Sequence, residues 1–246
     1  MSWETTEKEK KEKRTINFVD ASEAQKKRGL KILVFGKPGS GKTHFALSFP
    51  DPIFVIDTEM GSSIVASNFS DKKIKILDLF ASDEKEGYET IEDTIDELPK
   101  LIKEHGIKTI VLDSTTDFWE CAQGYAKLEI WKIKITDRLK QQWDWGTINK
   151  LYYRVLKKLL LLPVNVILTC RAGEVYAAAG QPTGSFTPRA QKDTGHWVDM
   201  VIESRSERKP NSNKFFGIID KCRTKGDLQG KVIENISYES LQEMLK

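Results

Sequence analysis

Lys31-Ile-Leu-Val-Phe-Gly36-Lys-Pro-Gly-Ser-Gly41-Lys42-Thr43 sets an apolar run with strand character directly before a glycine-rich turn and a segment with helical character. The spacing is G-x-x-x-x-G-K-T, the phosphate-binding loop in the strand–loop–helix setting it requires. Gly36, Gly39 and Gly41 permit backbone conformations that a Cβ would block, so successive N–H groups can turn inward around a β-phosphate. A helix beginning near Lys42 adds the positive end of its dipole at the same point. Gly36, Lys37, Pro38, Gly39, Ser40, Gly41, Lys42, Thr43 and His44 therefore form the candidate nucleotide-binding set. Within it, Lys42 would reach the β- and γ-phosphates and the Thr43 hydroxyl would hold Mg²⁺. The bland alternative is a glycine-rich turn that matches eight positions and both flanks by chance.

Outward from the loop, the pattern alternates. Thr43–Phe49 predicts a short helix stopped by Pro50 and Pro52. Ile53–Ile56 then reads as a buried strand that delivers Asp57, Thr58 and Glu59 at its C-terminal end, where ligands sit in open α/β sheets. Ile74–Leu79 predicts another strand. Between Gly87 and His105 the residues Ile91, Ile95, Leu98 and Ile102 recur at helical spacing, with Pro99 expected to kink or shorten that helix and Gly106 to stop it. Thr109–Leu112 predicts a strand delivering Asp113, which would orient Mg²⁺-bound water. Residues 116–135 read as helical, and Thr147 predicts a cap for a helix with Ile148, Leu151, Tyr152, Val155, Leu156 and Leu159 on one face. Val164–Thr169 follows as a buried strand.

From Ala172 to Gly195 no periodicity survives, which predicts a long functional loop made positive by Arg171, Arg189 and Lys192. Trp197–Ile202 and Phe215–Ile219 predict strands joined by a turn around 210–213, and Lys221 with Arg223 projects from the second. A last strand over Lys231–Ile236 and a helix over Tyr238–Leu245 end the chain. The alternation implies an α/β fold with a mostly parallel central sheet flanked by helices and C-terminal antiparallel strands. Residues 1–15 form a mixed-charge run expected to be a disordered tail. Residues 16–29, around Phe18 and Ala21, read either as an anchor for another subunit or as an edge packing on its own domain. Residues 30–246 then make one domain.

Composition bounds the rest. A 39% hydrophobic and 30% charged sequence of 246 residues can bury a full core. No apolar run approaches the roughly 18 residues needed to cross a bilayer, and the start lacks a signal-peptide core, so a cytoplasmic location without membrane contact is expected. Cys121, Cys170 and Cys222 have no metal or disulfide spacing, and His44, His105 and His196 are scattered. A net charge of +3 does not by itself argue for nucleic acid.

Asp113 is followed by Ser114 rather than Glu, which departs from the AAA+ pattern of adjacent acidic residues, and no guanine-reading N-K-x-D is present. Ile56-Asp57-Thr58-Glu59, with Val111-Leu112-Asp113-Ser114, resembles the ATPase core of the RecA/RadA recombinases. Over about residues 30–240 the chain is most similar to the short RecA-like ATPases of phages and archaea, some of which are single-strand annealing recombinases. That resemblance implies a RecA-like fold, ATP and Mg²⁺ as ligands, and metal-holding roles for Thr43 and Asp113. It implies that Glu59 is the base or orienter of the attacking water; the residue type alone also fits a helix-capping or surface carboxylate. Arg171 falls where the family carries its polar sensor, against a simple surface role. Lys221 and Arg223 resemble the basic pair that such assemblies insert into a neighbour's ATP site, against a solvated turn. The glycine-rich stretch after Arg171 corresponds in position to the family's DNA-contacting loop, and residues 18–23 resemble the RadA subunit-joining segment.

The implied partners are single-stranded DNA, further copies of the chain in a ring or filament, and a single-strand-binding protein. The leading expectation is an ATP-hydrolysing, single-stranded-DNA-binding annealing recombinase. A motor or loader ATPase on the same fold, and a nucleotide-gated assembly module, are the alternatives. A small-molecule kinase lacks an acceptor-binding pair or lid signature.

Overall fold

The computed structural model describes residues 18, 20–21, 28–139, 144–178, 180–209 and 212–246. All six residues of β1 (Lys31–Gly36) are buried, as a strand needs when helices cover both faces of a parallel sheet. Alternation along β1 sends Leu33 and Phe35 into one core and Ile32 and Val34 into the other. The second core is closed by α1 (Lys42–Leu47), α2 (Ser62–Ala66) and α7 (Tyr238–Leu245). The first is closed by α3 (Glu84–His105), α4 (Thr115–Tyr125) and α5 (Asp144–Leu160). Each fully buried Leu, Ile or Phe contributes about 1.5–3 kcal/mol by leaving water, so these two layers fix the sheet between them.

The remaining strands are β2 (Ile53–Asp57), β3 (Ile74–Asp78), β4 (Thr109–Asp113), β5 (Asn165–Tyr176), β6 (Pro182–Pro188), β7 (Met200–Lys209), β8 (Ser212–Cys222) and β9 (Val232–Glu234). Their order is β3-β2-β4-β5-β1-β7-β8-β9, with β6 paired to β5 outside that path. Strands β3 through β7 in this order run parallel, and β8 and β9 complete the sheet antiparallel. This is the expected α/β arrangement. The register aligns Gly36 with Arg171 and Asp57 with Asp113, which gathers these four residues on the C-terminal side of the inner parallel strands.

Several expectations are corrected. Helix α3 runs unbroken through Pro99. Its first turn is capped by the Asp83 carboxylate, which accepts from Glu86 N–H at 2.8 Å, and burial of Ile91, Ile95 and Leu98 outweighs the one backbone donor that Pro99 lacks. Thr147 lies inside α5, which already includes Asp144. Residues 194–197 form α6 (Thr194–Trp197), so the following strand begins only at Met200.

The largest correction concerns the supposed loop after Arg171. Here β5 continues past the parallel sheet to Tyr176 and turns back as β6, making a two-stranded arm with Ala172 opposite Pro188 and Glu174 opposite Phe186. Ala177 N–H donates to Gln181 O at 2.8 Å across the turn. Both faces of the arm's tip meet solvent, so no burial pattern selects a period of two in its sequence.

The tail over 1–15 and most of the 16–29 segment lie outside the described residues; Phe18, which is described, is 96% exposed. Among the described residues no helix is long and apolar enough to cross a membrane.

Candidate functional site

The phosphate loop begins where β1 ends. A Cβ at Gly36 would stand 2.3 Å from Ser204 O and 2.5 Å from Ser40 Oγ, so β7 packs on the loop too closely for any side chain there. Ser204 Oγ braces the loop further by donating to Ser40 O at 2.6 Å. Gly41 caps α1 at φ 92°, in the left-handed region that glycine adopts without strain. Lys42 curls back over the loop, its Nζ 3.2 Å from both Gly36 O and Lys37 O. Burial lowers the Lys42 pKa, while the carboxylates of Glu59 and Asp113 act to raise it. Ser40 Oγ is buried without a hydrogen-bond partner, one of two such side-chain oxygens among the described residues. A buried hydroxyl left unpaired in a glycine-rich turn at the head of a helix fits a loop built to take a phosphate.

Beside the loop lies a cluster of oxygens. Thr43 Oγ1 donates to Asp113 Oδ2 at 2.8 Å and Ser62 Oγ to the same oxygen at 3.2 Å, while Thr169 Oγ1 donates to Asp113 Oδ1. Burial raises the Asp113 pKa, opposed by the Thr169 and Thr43 hydrogen bonds. Asp57 is also buried and accepts from the N–H groups of Glu59 and Ser62, each at 2.9 Å, which shapes the turn that carries Glu59. Hydroxyl and carboxylate oxygens suit a hard cation such as Mg²⁺, so Thr43 and Asp113 fit that ion.

Arg171 is brought against Glu59. Its Nε lies 2.9 Å from Glu59 Oε1, and its Nη2 lies 2.9 Å from Asp117 Oδ1. Burial works against the guanidinium charge, but Asp117 and Glu59 more than offset it and the Arg171 pKa is raised. Asp117 is held in turn by Thr58 Oγ1 and Ser114 Oγ, both at 2.9 Å. Asp117 and Ser62 escaped the sequence reading, while Thr58 and Thr169 stand at the ends of expected strands without a role assigned to them there. A signal for one existed: Ser114-x-x-Asp117 has capping spacing at the start of α4, and Ser114 Oγ accepts from Asp117 N–H at 3.3 Å.

The other candidates lie elsewhere. Lys221 Nζ donates to Gly195 O at 2.6 Å and Val198 O at 2.9 Å, and Arg223 donates to His196 O. The register aligns Val201, opposite Lys221, with Leu33, and Arg223 N–H donates to Asp199 O one residue before β7. The pair thus sits away from the loop end of its own sheet. His44 packs its ring on Phe69 and, with Ser40, Gly41, Phe215, Asn235 and Ile236, borders a cavity of about 210 Å³ beside the loop.

Comparisons with known proteins bear on the fold and the family. A comparison with curated proteins finds no match. Among solved structures, the chain is similar to a KaiC-like protein from the hyperthermophilic archaeon Pyrococcus horikoshii OT3, with a TM-score of 0.51, 17% identity and 84% of each chain covered. That likeness supports the RecA-like fold. A family model described as an AAA domain, AAA_24, matches residues 28–226, a span that holds the loop, both acidic strand ends and Arg171. With the loop bedded on β7 and Asp113 tied to Thr43 inside that span, the chain belongs to the AAA_24 family of AAA domains and is a P-loop ATPase of RecA-like fold.

Proposed function

We propose that the chain hydrolyses Mg²⁺–ATP and couples the nucleotide state to binding of single-stranded DNA, working as an annealing or strand-exchange protein assembled from several copies. The hydrogen bond from Thr43 to Asp113 carries the nucleotide half of this reading, because it joins the loop to the acidic strand end as an Mg²⁺ site requires. Bound there, Mg²⁺ would neutralise charge on the β- and γ-phosphates. Lys42 and the loop amides would hold the same phosphates. Glu59 would accept a proton from the water that attacks the γ-phosphorus as the bond to the ADP oxygen breaks. The cavity beside His44 and Phe215 is of a size for the nucleobase.

The arm supports the DNA half. The Tyr176 ring is exposed near its tip, and Lys192 and Arg189, the latter paired with Glu120 at 3.3 Å, flank its base; an exposed ring near cations suits unstacked bases and their phosphates. Basic residues also outnumber acidic ones from Arg205 to Lys231. Retention of labelled single strands should require ATP, fall with salt and disappear in Lys42→Ala. No binding at low salt would remove the DNA half and leave the ATPase half standing. Unwinding or translocation without annealing would move the reading to a motor.

A further inference from the structure

The guanidinium of Arg171 is shared between two carboxylates that are not held alike. Asp117 accepts from Thr58 Oγ1 and Ser114 Oγ as well as from Arg171, it lies in the first turn of α4, and its side chain is 18% exposed. Glu59 is 27% exposed, and among the described residues Arg171 is the one side chain that hydrogen-bonds its carboxylate. The backbone of Arg171 is fixed as well, its N–H donating to Thr116 Oγ1 at 3.0 Å and its carbonyl accepting from Arg189 N–H at 2.8 Å. One end of this three-residue relay is therefore anchored and the other is not. Gly36 stands beside Arg171 in the register, and the Glu59 carboxylate is close enough to Lys42 to act on its charge, so the loose end lies by the phosphate loop.

We infer that Asp117 is a positioning residue, the fixed pivot of a swivel in which Arg171 exchanges Glu59 for the terminal phosphate of a nucleoside triphosphate. This rests on the nucleotide-binding reading above and adds to it how the site distinguishes triphosphate from diphosphate. A terminal phosphate carries more negative charge than one carboxylate and competes for the guanidinium. The ion pair with Glu59 is the one that gives way, because Asp117 is tied down by two hydroxyls and Glu59 is not. The exchange has two consequences. Arg171 gains a partner that only a triphosphate supplies, and Glu59, relieved of its ion pair, becomes free to accept a proton from water. Without Asp117 the guanidinium has no anchor and closes on Glu59 alone.

Direct binding measurements on the full-length chain test this, with Mg²⁺–ADP and a non-hydrolysable Mg²⁺–ATP analogue titrated into wild type, Asp117→Asn and Asp117→Glu. The expected result is an analogue affinity weakened by about 10-fold in Asp117→Asn, the low end of what a hydrogen bond to a charged group contributes, with ADP affinity within about twofold of wild type and partial recovery in Asp117→Glu. Equal changes for both nucleotides, or none for either, would overturn the swivel while leaving nucleotide binding intact. Failure of wild type to bind either nucleotide would overturn the nucleotide reading and the swivel together. Should Asp117→Asn fail to fold, Arg171→Ala serves in its place: it too must lose affinity for the analogue and not for ADP, and an unchanged ratio in that variant also overturns the swivel.

Discussion

Lys37 of the phosphate loop holds its ammonium 4.4 Å above the ring of Phe186 in the β5–β6 arm. The loop and the arm are thus in direct contact through a cation–π pair, and Arg171 joins the arm to the site a second time where β5 leaves the parallel sheet. Such a pair at a partly exposed position is worth about 0.5–1 kcal/mol. Phe186→Ala should therefore speed hydrogen exchange across 172–188 and erase any slowing caused by an ATP analogue. Nucleotide affinity should change by no more than about fivefold, as that energy allows. Mass-spectrometric exchange with and without the analogue reads both.

Thr169 holds the oxygen of Asp113 that Thr43 leaves free. Outer hydrogen bonds of this kind orient a metal-holding carboxylate, and their loss commonly costs about 10- to 100-fold in metal affinity. In Thr169→Val the Mg²⁺ concentration that half-saturates nucleotide turnover should rise by that factor. Nucleotide binding measured without Mg²⁺ should stay as in wild type.

Glu59→Gln keeps the shape of the side chain and removes its basicity. Phosphate release should fall by about 100- to 10,000-fold, the span expected for loss of a general base. Mg²⁺–ATP should still bind, since Lys42, Thr43 and Asp113 are untouched. A variant that turns over ATP at the wild-type rate would assign the base elsewhere.

Lys31 predicts a pH dependence of stability. It is fully buried at the start of β1, with Nζ donating to Leu162 O at 2.7 Å and Val164 O at 2.5 Å. Burial, aided by the Arg28 charge and opposed by Asp199, lowers its pKa from 10.5 to about 8. The folded pKa lies below the unfolded one, so the unfolded chain binds the extra proton between these values and stability rises with pH across that window. Compared with Lys31→Met, wild type should gain about 3 kcal/mol from pH 8 to 10.5, read by denaturant unfolding at several pH values.

How much was legible differs from element to element. The apolar runs of β1, β2, β4 and the first half of β5 are readable because both faces of those strands are buried, which leaves a continuous apolar signature. The arm was not, because its pairing rests on backbone hydrogen bonds between exposed strands and leaves no mark on residue type. Pro99 misled for a different reason: the cost of one missing donor is local, while the burial that outweighs it comes from residues on the sheet.

Residue types and spacing by themselves determined the phosphate loop, the two acidic strand ends and the α/β order, because glycine's freedom, the charge of Lys42 and apolar periodicity are properties of short segments. Only the tertiary structure decided that Arg171 lies between Glu59 and Asp117, that Thr169 and Ser62 serve Asp113, and that Lys221 and Arg223 grip the backbone before β7. Those pairings join residues up to 112 positions apart along the chain. Strand order and register set such distances, and neither is written in any one segment.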